Sequence, residues 1–211
     1  MSPTAASGHH LPNFFASALL QGLEDLLGAH GVQALLRLAD LGQWVQSPPD
    51  VSLSAEVDFA EFATLQASLA DLYGNRSART MARRAGREIA QRMAELLADI
   101  SSLLEEPAFK ALEVEERGAR LLEALAQALN QASGRQDRVE YNAGSLRYVA
   151  AACPDCWGRT SGQPLCAVTS GWLEGLLSLL DGWESASIQE VACVAMGADR
   201  CTFEVNRHGG T

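Results

Sequence analysis

The stretch RVEYNAGSLRYV, residues 138–149, decides the fold class of this chain. Polar and apolar residues alternate at its start and again at its end, and the turn formers Asn142 and Gly144 lie between. Such alternation on both sides of a short glycine-containing turn is typical of a β-hairpin. The sequence therefore predicts two antiparallel strands in a chain whose other patterns are mainly helical.

Two more strands are predicted further along the chain. They cover residues 187–195 and 201–205, on the two sides of a turn at residues 197–200. Between the two strand pairs, an apolar segment with helical spacing begins at Cys166 and ends at Gly182. We expect one long helix there.

The chain before the first strand pair is mainly helical in its pattern. Apolar residues recur every three or four positions in segments that end at Gly28 and Gly74, and Asp58 with Glu61 predicts a capping box. Helices followed by a small antiparallel meander define the α+β class. We expect N-terminal helices packed with this β-meander, and one long helix between the strand pairs.

The expected domain boundaries follow the same change of pattern. A chain of 211 residues is long enough for one substantial domain. We expect a single domain over residues 12–206, mainly helical over 12–134 and α+β over 135–206, between disordered tails at 1–11 and 207–211.

Composition and charge exclude several classes of function. Apolar residues make up 47% of the chain and charged residues 20%, which is ordinary for a globular protein and excludes intrinsic disorder. Lys and Arg number 16 against 26 Asp and Glu, and the net charge of −10 argues against binding of nucleic acid or anionic lipid by bulk charge. No apolar run approaches the ~20 residues needed to span a bilayer, and no basic residue precedes Arg37. We therefore expect no membrane span, no signal peptide and a cytoplasmic location.

The longest helical candidate, from about Asn75 to Leu104, is rich in arginine in its first half. These residues are Arg76, Arg79, Arg83, Arg84, Arg87 and Arg92. One interpretation is a solvated face with ion pairs to neighbouring helices. The other is a site for a carboxylate or phosphate of a ligand, held by Arg83 and Arg87. Gly86 costs about 1 kcal/mol relative to alanine in a helix interior, so it predicts a close helix crossing.

The cysteines are the main candidates for chemistry. They are Cys153, Cys156, Cys166, Cys193 and Cys201. Cys153 and Cys156 form a CxxC motif, and Glu190 lies three residues before Cys193. An odd number of cysteines in a reducing compartment argues against a disulfide framework. Zinc binding, buried packing and thiol–disulfide exchange are the uses to weigh, and spacing alone leaves metal binding and packing equally open.

Enzymatic motifs are largely missing from the sequence. Histidine does not occur between His30 and His208, so a catalytic Cys-His or Ser-His pair has no nearby base in sequence. The chain contains no dinucleotide-binding GxGxxG motif, no P-loop and no HExxH motif. We therefore favour a non-enzymatic role.

Four segments of the cysteine-bearing part resemble the 4-vinyl reductase domain family. They are CPDCWGR at 153–159, PLC at 164–166, EVACVAMG at 190–197 and CTFEV at 201–205. The resemblance extends over roughly residues 138–205, and residues 59–87 are similar to the corresponding helical region of stand-alone bacterial members. It implies a fold similar to that of the vesicle-tethering TRAPP subunits, which commonly dimerise, and hence a homodimer.

The resemblance also implies a metal site. In the aromatic-responsive sensors of this family, zinc is held by a cysteine at a helix start, a glutamate, a cysteine three residues later and a final cysteine beyond a tight turn. The matching positions in this chain are Cys166, Glu190, Cys193 and Cys201. Four protein ligands leave no open position on the metal, so the implied zinc is structural. Cys153 and Cys156 are alternative ligands, either of which could replace Glu190.

The function implied by the resemblance is binding of a hydrophobic, aromatic or tetrapyrrole molecule in a sensing or carrier role. Candidate pocket residues are Tyr141, Tyr148, Trp157 and Trp172, although aromatic residues at such spacings are also common in cores. The phenol sensors of the family use a pocket histidine that this chain lacks in the corresponding region. Phenol is therefore a disfavoured ligand.

Two alternative functions stay open at this point. A reductase acting on the vinyl group of a chlorophyll precursor, in bacteriochlorophyll synthesis, needs an electron donor, and the sequence has no nucleotide or iron–sulfur motif to supply one. A protein-interaction scaffold would instead bury an exposed apolar face against another protein.

Overall fold

The structure, a computed structural model, describes residues 5–142 and 145–207. Its helices are α1 (Asn13–Leu38), α2 (Phe59–Tyr73), α3 (Asn75–Leu96), α4 (Ala98–Glu105), α5 (Pro107–Lys110), α6 (Val114–Ser133) and α7 (Ala167–Leu177). Its strands are β1 (His10–Pro12), β2 (Ala55–Asp58), β3 (Arg138–Asn142), β4 (Ser145–Ala150), β5 (Ala186–Ala192) and β6 (Cys201–Arg207). The predicted α+β class is confirmed. Ala143 and Gly144 of the predicted hairpin turn lie outside the described residues.

The larger sheet joins the two predicted strand pairs. Its strand order is β3-β4-β6-β5, and neighbouring strands are antiparallel. The last strand, β6, therefore lies between β4 and β5, with Tyr148 opposite Phe203 and Ala150 opposite Cys201. Because β4 ends at Ala150, the loop that carries the CxxC motif begins beside the first residue of β6.

A smaller sheet pairs β1 with β2. His10 lies opposite Asp58, and the backbone N–H of Ser7 donates to the Asp58 carboxylate at 3.0 Å. The tail predicted to be disordered over residues 1–11 thus includes backbone that is paired with β2. A strand of three residues is too short to produce an alternation in sequence, and its partner is distant along the chain.

Local signals set the start and end of several helices. At the start of α2, Asp58 accepts the N–H of Ala60 at 2.7 Å, and Glu61 accepts the N–H of Asp58 at 3.0 Å. The predicted capping box is therefore confirmed. Gly28, at φ 71°, interrupts α1, and Gly74, at φ 75°, ends α2. Positive φ favours glycine because it has no Cβ.

The long helix predicted from Asn75 to Leu104 is divided into two. α3 ends at Leu96, and Leu97 takes an extended backbone conformation (φ −88°, ψ 99°) before α4 begins. This change of direction buries both Leu97 and Ile100 in the core. No helix among the described residues combines the length and the apolar character needed to cross a membrane.

Helix α7 crosses α3 at close range because glycines lie on both sides of the contact. An added Cβ at Gly86 would lie 2.4 Å from the carbonyl oxygen of Val168, and one at Gly171 would lie 2.0 Å from the carbonyl oxygen of Arg83. The close crossing predicted from Gly86 is confirmed. It holds the first turn of α7, which follows Cys166, against the helical layer.

One contiguous hydrophobic core joins the helices to the larger sheet. Trp172 of α7, Tyr148 of β4, and Phe14 and Phe15 of α1 are among its largest fully buried side chains. The cysteines also belong to this core. The candidate site is therefore enclosed by the fold and lies away from solvent.

Candidate functional site

The cysteine side chains gather at one end of the larger sheet. Cys153 and Cys156 lie in the loop after β4, Cys166 immediately precedes α7, Cys193 follows β5, and Cys201 begins β6. Each is buried and none forms a disulfide. Elements far apart in sequence therefore deliver five sulfur atoms to one buried place.

The distances between sulfur atoms match the edges of a metal tetrahedron. The Sγ atom of Cys166 lies 3.3 Å from that of Cys153, 3.9 Å from that of Cys193 and 3.7 Å from that of Cys201. The Sγ atoms of Cys156 and Cys201 are 3.5 Å apart. A Zn–S bond of about 2.3 Å and a tetrahedral angle place ligand sulfurs about 3.8 Å apart. The sulfurs thus have the spacing of thiolates around one metal ion.

Glu190 adds a carboxylate oxygen to the cluster. Its Oε2 atom accepts the backbone N–H of Cys166 at 2.9 Å, whereas its buried Oε1 atom has no hydrogen-bond partner among the described residues. Burial raises the pKa of the Glu190 carboxyl to about 9. A buried carboxylate oxygen without a partner is costly unless a cation or a proton satisfies it, so this atom fits the role of a metal ligand.

Two overlapping donor sets result. One consists of Cys166, Glu190, Cys193 and Cys201, and the other consists of Cys153, Cys156, Cys166 and Cys201. Within each set, the donor atoms all lie within 4.8 Å of one another. The structure therefore brings together the predicted ligands and the alternative ligands, and this buried cysteine cluster is suited to hold a metal ion.

The part of the chain that carries these donors is similar to a known family. Residues 146–207 match the 4-vinyl reductase domain. The resemblance to this family is confirmed over the matched segment, residues 146–207, which contains all the metal donors described above. No curated protein matches the chain in sequence.

Solved structures share the fold of the whole chain at low sequence identity. An H-NOX protein from S. oneidensis, in the Fe(II)NO ligation state, is 13% identical with a TM-score of 0.53, over 91% of this chain and 98% of that one. A variant of Tt H-NOX is 14% identical with a TM-score of 0.55, over 95% and 98%. The phenol-responsive sensory domain of the transcription activator PoxR with phenol is 20% identical over 71% and 74%, with a TM-score of 0.43. The H-NOX likeness shows a shared α+β fold.

Close sulfur contacts within the matched segment shift the thiol pKa values in both directions. Hydrogen bonds from neighbouring thiols lower the pKa of Cys153 and of Cys193. Contacts within the same group raise the pKa of Cys156 and of Cys201. Proton sharing of this kind stabilises some sulfurs as thiolates inside the core, and the thiolate is the form that binds metal.

Asp155, which the sequence analysis did not single out, fixes the CxxC loop on α7. Its carboxylate accepts the backbone N–H of Thr169 at 2.9 Å and the Thr169 hydroxyl at 3.2 Å. Burial, with a smaller contribution from the charge of Cys153, raises the pKa of Asp155 to about 7. The only hint in the sequence is the turn-forming Pro-Asp pair between the two cysteines.

A second group that the sequence analysis missed lies at the start of the matched segment. The hydroxyl of Tyr148 donates to Oδ2 of Asp137 at 2.7 Å, and Nη2 of Arg135 lies 2.8 Å from the same oxygen. All three side chains are buried. The Arg135 guanidinium also lies over the ring of Phe59, 5.9 Å from its centroid, and its charge acts on Cys153. No motif marks this group, because its members meet only in the folded chain.

The four predicted pocket residues occupy different surroundings. The rings of Trp172 and Tyr148 are in edge contact, with centroids 5.6 Å apart. Trp157 is partly buried and lies 6.0 Å from Phe59, the ring that carries the guanidinium described above. Tyr141 is 43% exposed and lines a separate surface cleft of about 520 Å³ among acidic residues of α6. Three of the four residues are thus linked through the buried Phe59 region, and Tyr141 is apart from them.

The two arginines predicted to bind an anion hold a carboxylate of this chain. Arg83 donates through Nε to Oε2 of Glu174 at 2.9 Å, and through Nη2 to Oε1 of Glu174 and to the carbonyl of Ile188 at 2.8 Å. Arg87 donates to Oε2 of Glu174 at 2.9 Å. Burial raises the pKa of Glu174, but hydrogen bonds and charge from the arginines outweigh it and hold the pKa below its ordinary value. Glu174 thereby ties α7 to α3 and to β5.

Proposed function

We propose that this protein is a small-molecule-binding module, with a sensing or carrier role, whose cysteine-bearing part is stabilised by a structural zinc ion. The observation that carries the proposal is a buried metal-donor cluster that adjoins a set of aromatic and polar side chains. The 4-vinyl reductase domain match and the H-NOX likeness support it at the level of family and fold. The H-NOX protein of that comparison is described with NO bound to iron.

Cys166, Glu190, Cys193 and Cys201 are the proposed zinc ligands. Three thiolates, one carboxylate and Zn²⁺ complete a tetrahedron and leave no position for water, so the ion would supply structural stability and no catalytic hydroxide. The free Oε1 atom of Glu190 and the tetrahedral sulfur spacing support this assignment. Structural zinc in small peptides contributes about 10 to 16 kcal/mol of apparent binding energy, which is comparable with the stability of a whole domain.

The proposed ligand is a hydrophobic or aromatic molecule with one polar group. Tyr148 and Trp172 supply flat apolar walls, and the Arg135–Asp137 pair supplies a polar end beside them. Trp157, which is partly buried, lies at the accessible end of this region. Apolar walls with few polar groups are typical of small-molecule sites. A tetrapyrrole is the largest ligand of this class, and its entry would require Tyr148 and Trp172 to separate.

A homodimer is proposed for the same module. Leu38 at the end of α1 and Leu72 and Tyr73 at the end of α2 are large apolar side chains with substantial exposure. Burial of such residues between two-fold related copies is the commonest way in which soluble chains associate. Light scattering should give twice the chain mass of 22.5 kDa, and Leu72→Glu with Tyr73→Glu should reduce it to the monomer mass. A monomeric wild-type protein would contradict this part of the proposal.

Ligand binding is tested by tryptophan fluorescence and thermal shift of the zinc-loaded protein. The probes are indole, protoporphyrin IX and phenol. We expect saturable quenching and a raised Tm with at least one of the first two, and a weaker response to phenol.

Variants locate the site of that response. Trp172→Phe should weaken the response at least several-fold while the zinc content stays unchanged, because it alters one wall of the proposed site. The matched control is Tyr141→Phe, which changes an exposed ring outside the region. A protein that retains zinc but responds to none of the probes would contradict the binding role.

A further inference from the structure

We infer that the cysteine cluster binds two metal ions, with Cys166 and Cys201 as bridging thiolates and with Cys153 and Cys156 as the terminal ligands of a second zinc. This inference rests on the zinc proposed above and extends it to donors that the single ion does not use. It assigns the CxxC motif a ligand role.

The number of donors fits two metal ions. Two tetrahedra that share one edge need 4 + 4 − 2 = 6 donor atoms. The two donor sets together contain five sulfurs and one carboxylate, and they have Cys166 and Cys201 in common. A single ion on the set that includes Glu190 would leave Cys153 and Cys156 as two buried thiols beside it.

The sulfur positions also fit a shared edge. The proposed bridging atoms, Sγ of Cys166 and Sγ of Cys201, are 3.7 Å apart. Each sulfur of the CxxC motif lies against a different bridging sulfur, Cys153 at 3.3 Å from Cys166 and Cys156 at 3.5 Å from Cys201. The second tetrahedron therefore stands on the opposite side of the shared edge from Cys193 and Glu190. With Zn–S bonds of about 2.3 Å, the two metal ions would lie roughly 3 Å apart.

The charge balance favours the second ion. One zinc with three thiolates and one carboxylate carries a net charge of 2 − 4 = −2, and adding two thiolates with a second Zn²⁺ leaves that charge unchanged. The second ion thus replaces two thiol protons at no cost in net buried charge. Two cations also act on this side of the cluster, Arg135 on Cys153 and Arg159 on Cys156 and Cys166.

The CxxC loop is held in place before any metal binds. Asp155, between the two cysteines, is anchored to Thr169 at the first turn of α7. The backbone N–H of Arg159 donates to the carbonyl of Cys156 at 3.1 Å, which closes the loop on its other side. Ligands that are already positioned lose little conformational entropy on binding, so the second ion should bind in the folded protein.

The experiment is metal analysis and native mass spectrometry of the full chain, purified without chelator under reducing conditions and then titrated with zinc against a competing indicator. We expect two zinc ions per chain, protection of all five thiols from alkylation, and a zinc–zinc distance of roughly 3 Å by X-ray absorption. Cys153→Ser with Cys156→Ser should reduce the content to one ion, and so should Glu190→Gln with Cys193→Ser. His9→Ala with His10→Ala controls for zinc on exposed histidines and should leave two.

The outcomes separate this inference from the proposed single zinc. One ion in the wild type, retained in the Cys153/Cys156 variant and lost in the Glu190/Cys193 variant, overturns the second site and leaves the proposed zinc intact. One ion lost only in the Cys153/Cys156 variant overturns both assignments, as does a metal-free wild type. Two ions in the wild type without a short zinc–zinc distance would refute the bridged arrangement. Cobalt substitution, read from its thiolate charge-transfer bands, repeats the count in any variant that folds less stably.

Discussion

Replacement of Gly171 by alanine tests the close contact between α7 and α3. The added Cβ would lie 2.0 Å from the carbonyl oxygen of Arg83, and ordinary contacts begin at 3.4 Å, so the helices must separate by about 3.4 − 2.0 = 1.4 Å. The obstacle is a backbone carbonyl within a helix, which cannot rotate away as a flexible side chain could.

The expected magnitude follows from three contributions. Overpacking of a well-packed core costs about 1 to 3 kcal/mol. The same separation lengthens the 2.9 Å hydrogen bond between Arg83 and Glu174 beyond bonding range, and because Arg83 is 30% exposed this costs about 1.5 kcal/mol, the lower end of the charged range. Alanine recovers about 1 kcal/mol through its higher helix propensity. The sum is a destabilisation of about 1.5 to 3.5 kcal/mol.

Urea unfolding followed by circular dichroism measures this change. Gly162→Ala is the matched control, since an added Cβ there meets nothing within 4 Å, and its free energy of unfolding should stay within about 0.5 kcal/mol of wild type. If Gly171→Ala were as stable as wild type or more stable, the steric reasoning would be refuted. Propensity alone would then decide the effect.

Three further substitutions probe other parts of the molecule. Tyr148→Phe removes a buried hydrogen bond to Asp137 and should lower the free energy of unfolding by about 1 to 3 kcal/mol, whereas Tyr141→Phe, at an exposed ring, should change it little; equal effects in urea titrations would contradict this. Asp58→Ala removes the α2 cap and the acceptor for Ser7, and should cost about 1 to 2 kcal/mol in the same assay, with exposed Glu24→Ala as the neutral control. Glu174 has a lowered pKa when folded, so its stabilisation is complete above its unfolded pKa, near 4.5, and is lost as the pH falls through the lower folded value. The stability difference between wild type and Glu174→Gln should therefore be largest near pH 7 and shrink below pH 4.5, and a difference independent of pH would be inconsistent with the ion pair.

Features that depend on local sequence were predictable. The capping box at Asp58 and Glu61 follows from a spacing of three residues, and the stop at Gly74 follows from one residue with free backbone. Gly86 also predicted its helix crossing, because a glycine within a helix is costly unless another backbone lies against it. In each case, the physical reason lies within one helical turn of the residue.

Features that depend on tertiary contact were not predictable. The Arg135–Asp137–Tyr148 group and the pairing of β1 with β2 involve partners whose positions along the chain show no period. The break at Leu97 lies in a segment with continuous helical spacing, and only burial of Ile100 reveals its advantage.

The metal donors fall between these two cases. Spacing identified the residue types, and the resemblance to a family supplied one donor set. The structure places Cys153 as close to Cys166 as the sulfurs of that set are to one another. Sequence spacing could not rank these pairings, because the relevant distances run between different strands and a loop.

The central position of β6 has a consequence for the order of folding. Cys201 is the first residue of this strand, and β6 must insert between β4 and β5 before Cys201 can reach the other sulfurs. Both donor sets contain Cys201, so neither is complete while the sheet is open. Metal capture should therefore coincide with the slow, non-local step of sheet closure, and chelator should delay the appearance of native sheet while leaving the early helical signal unchanged.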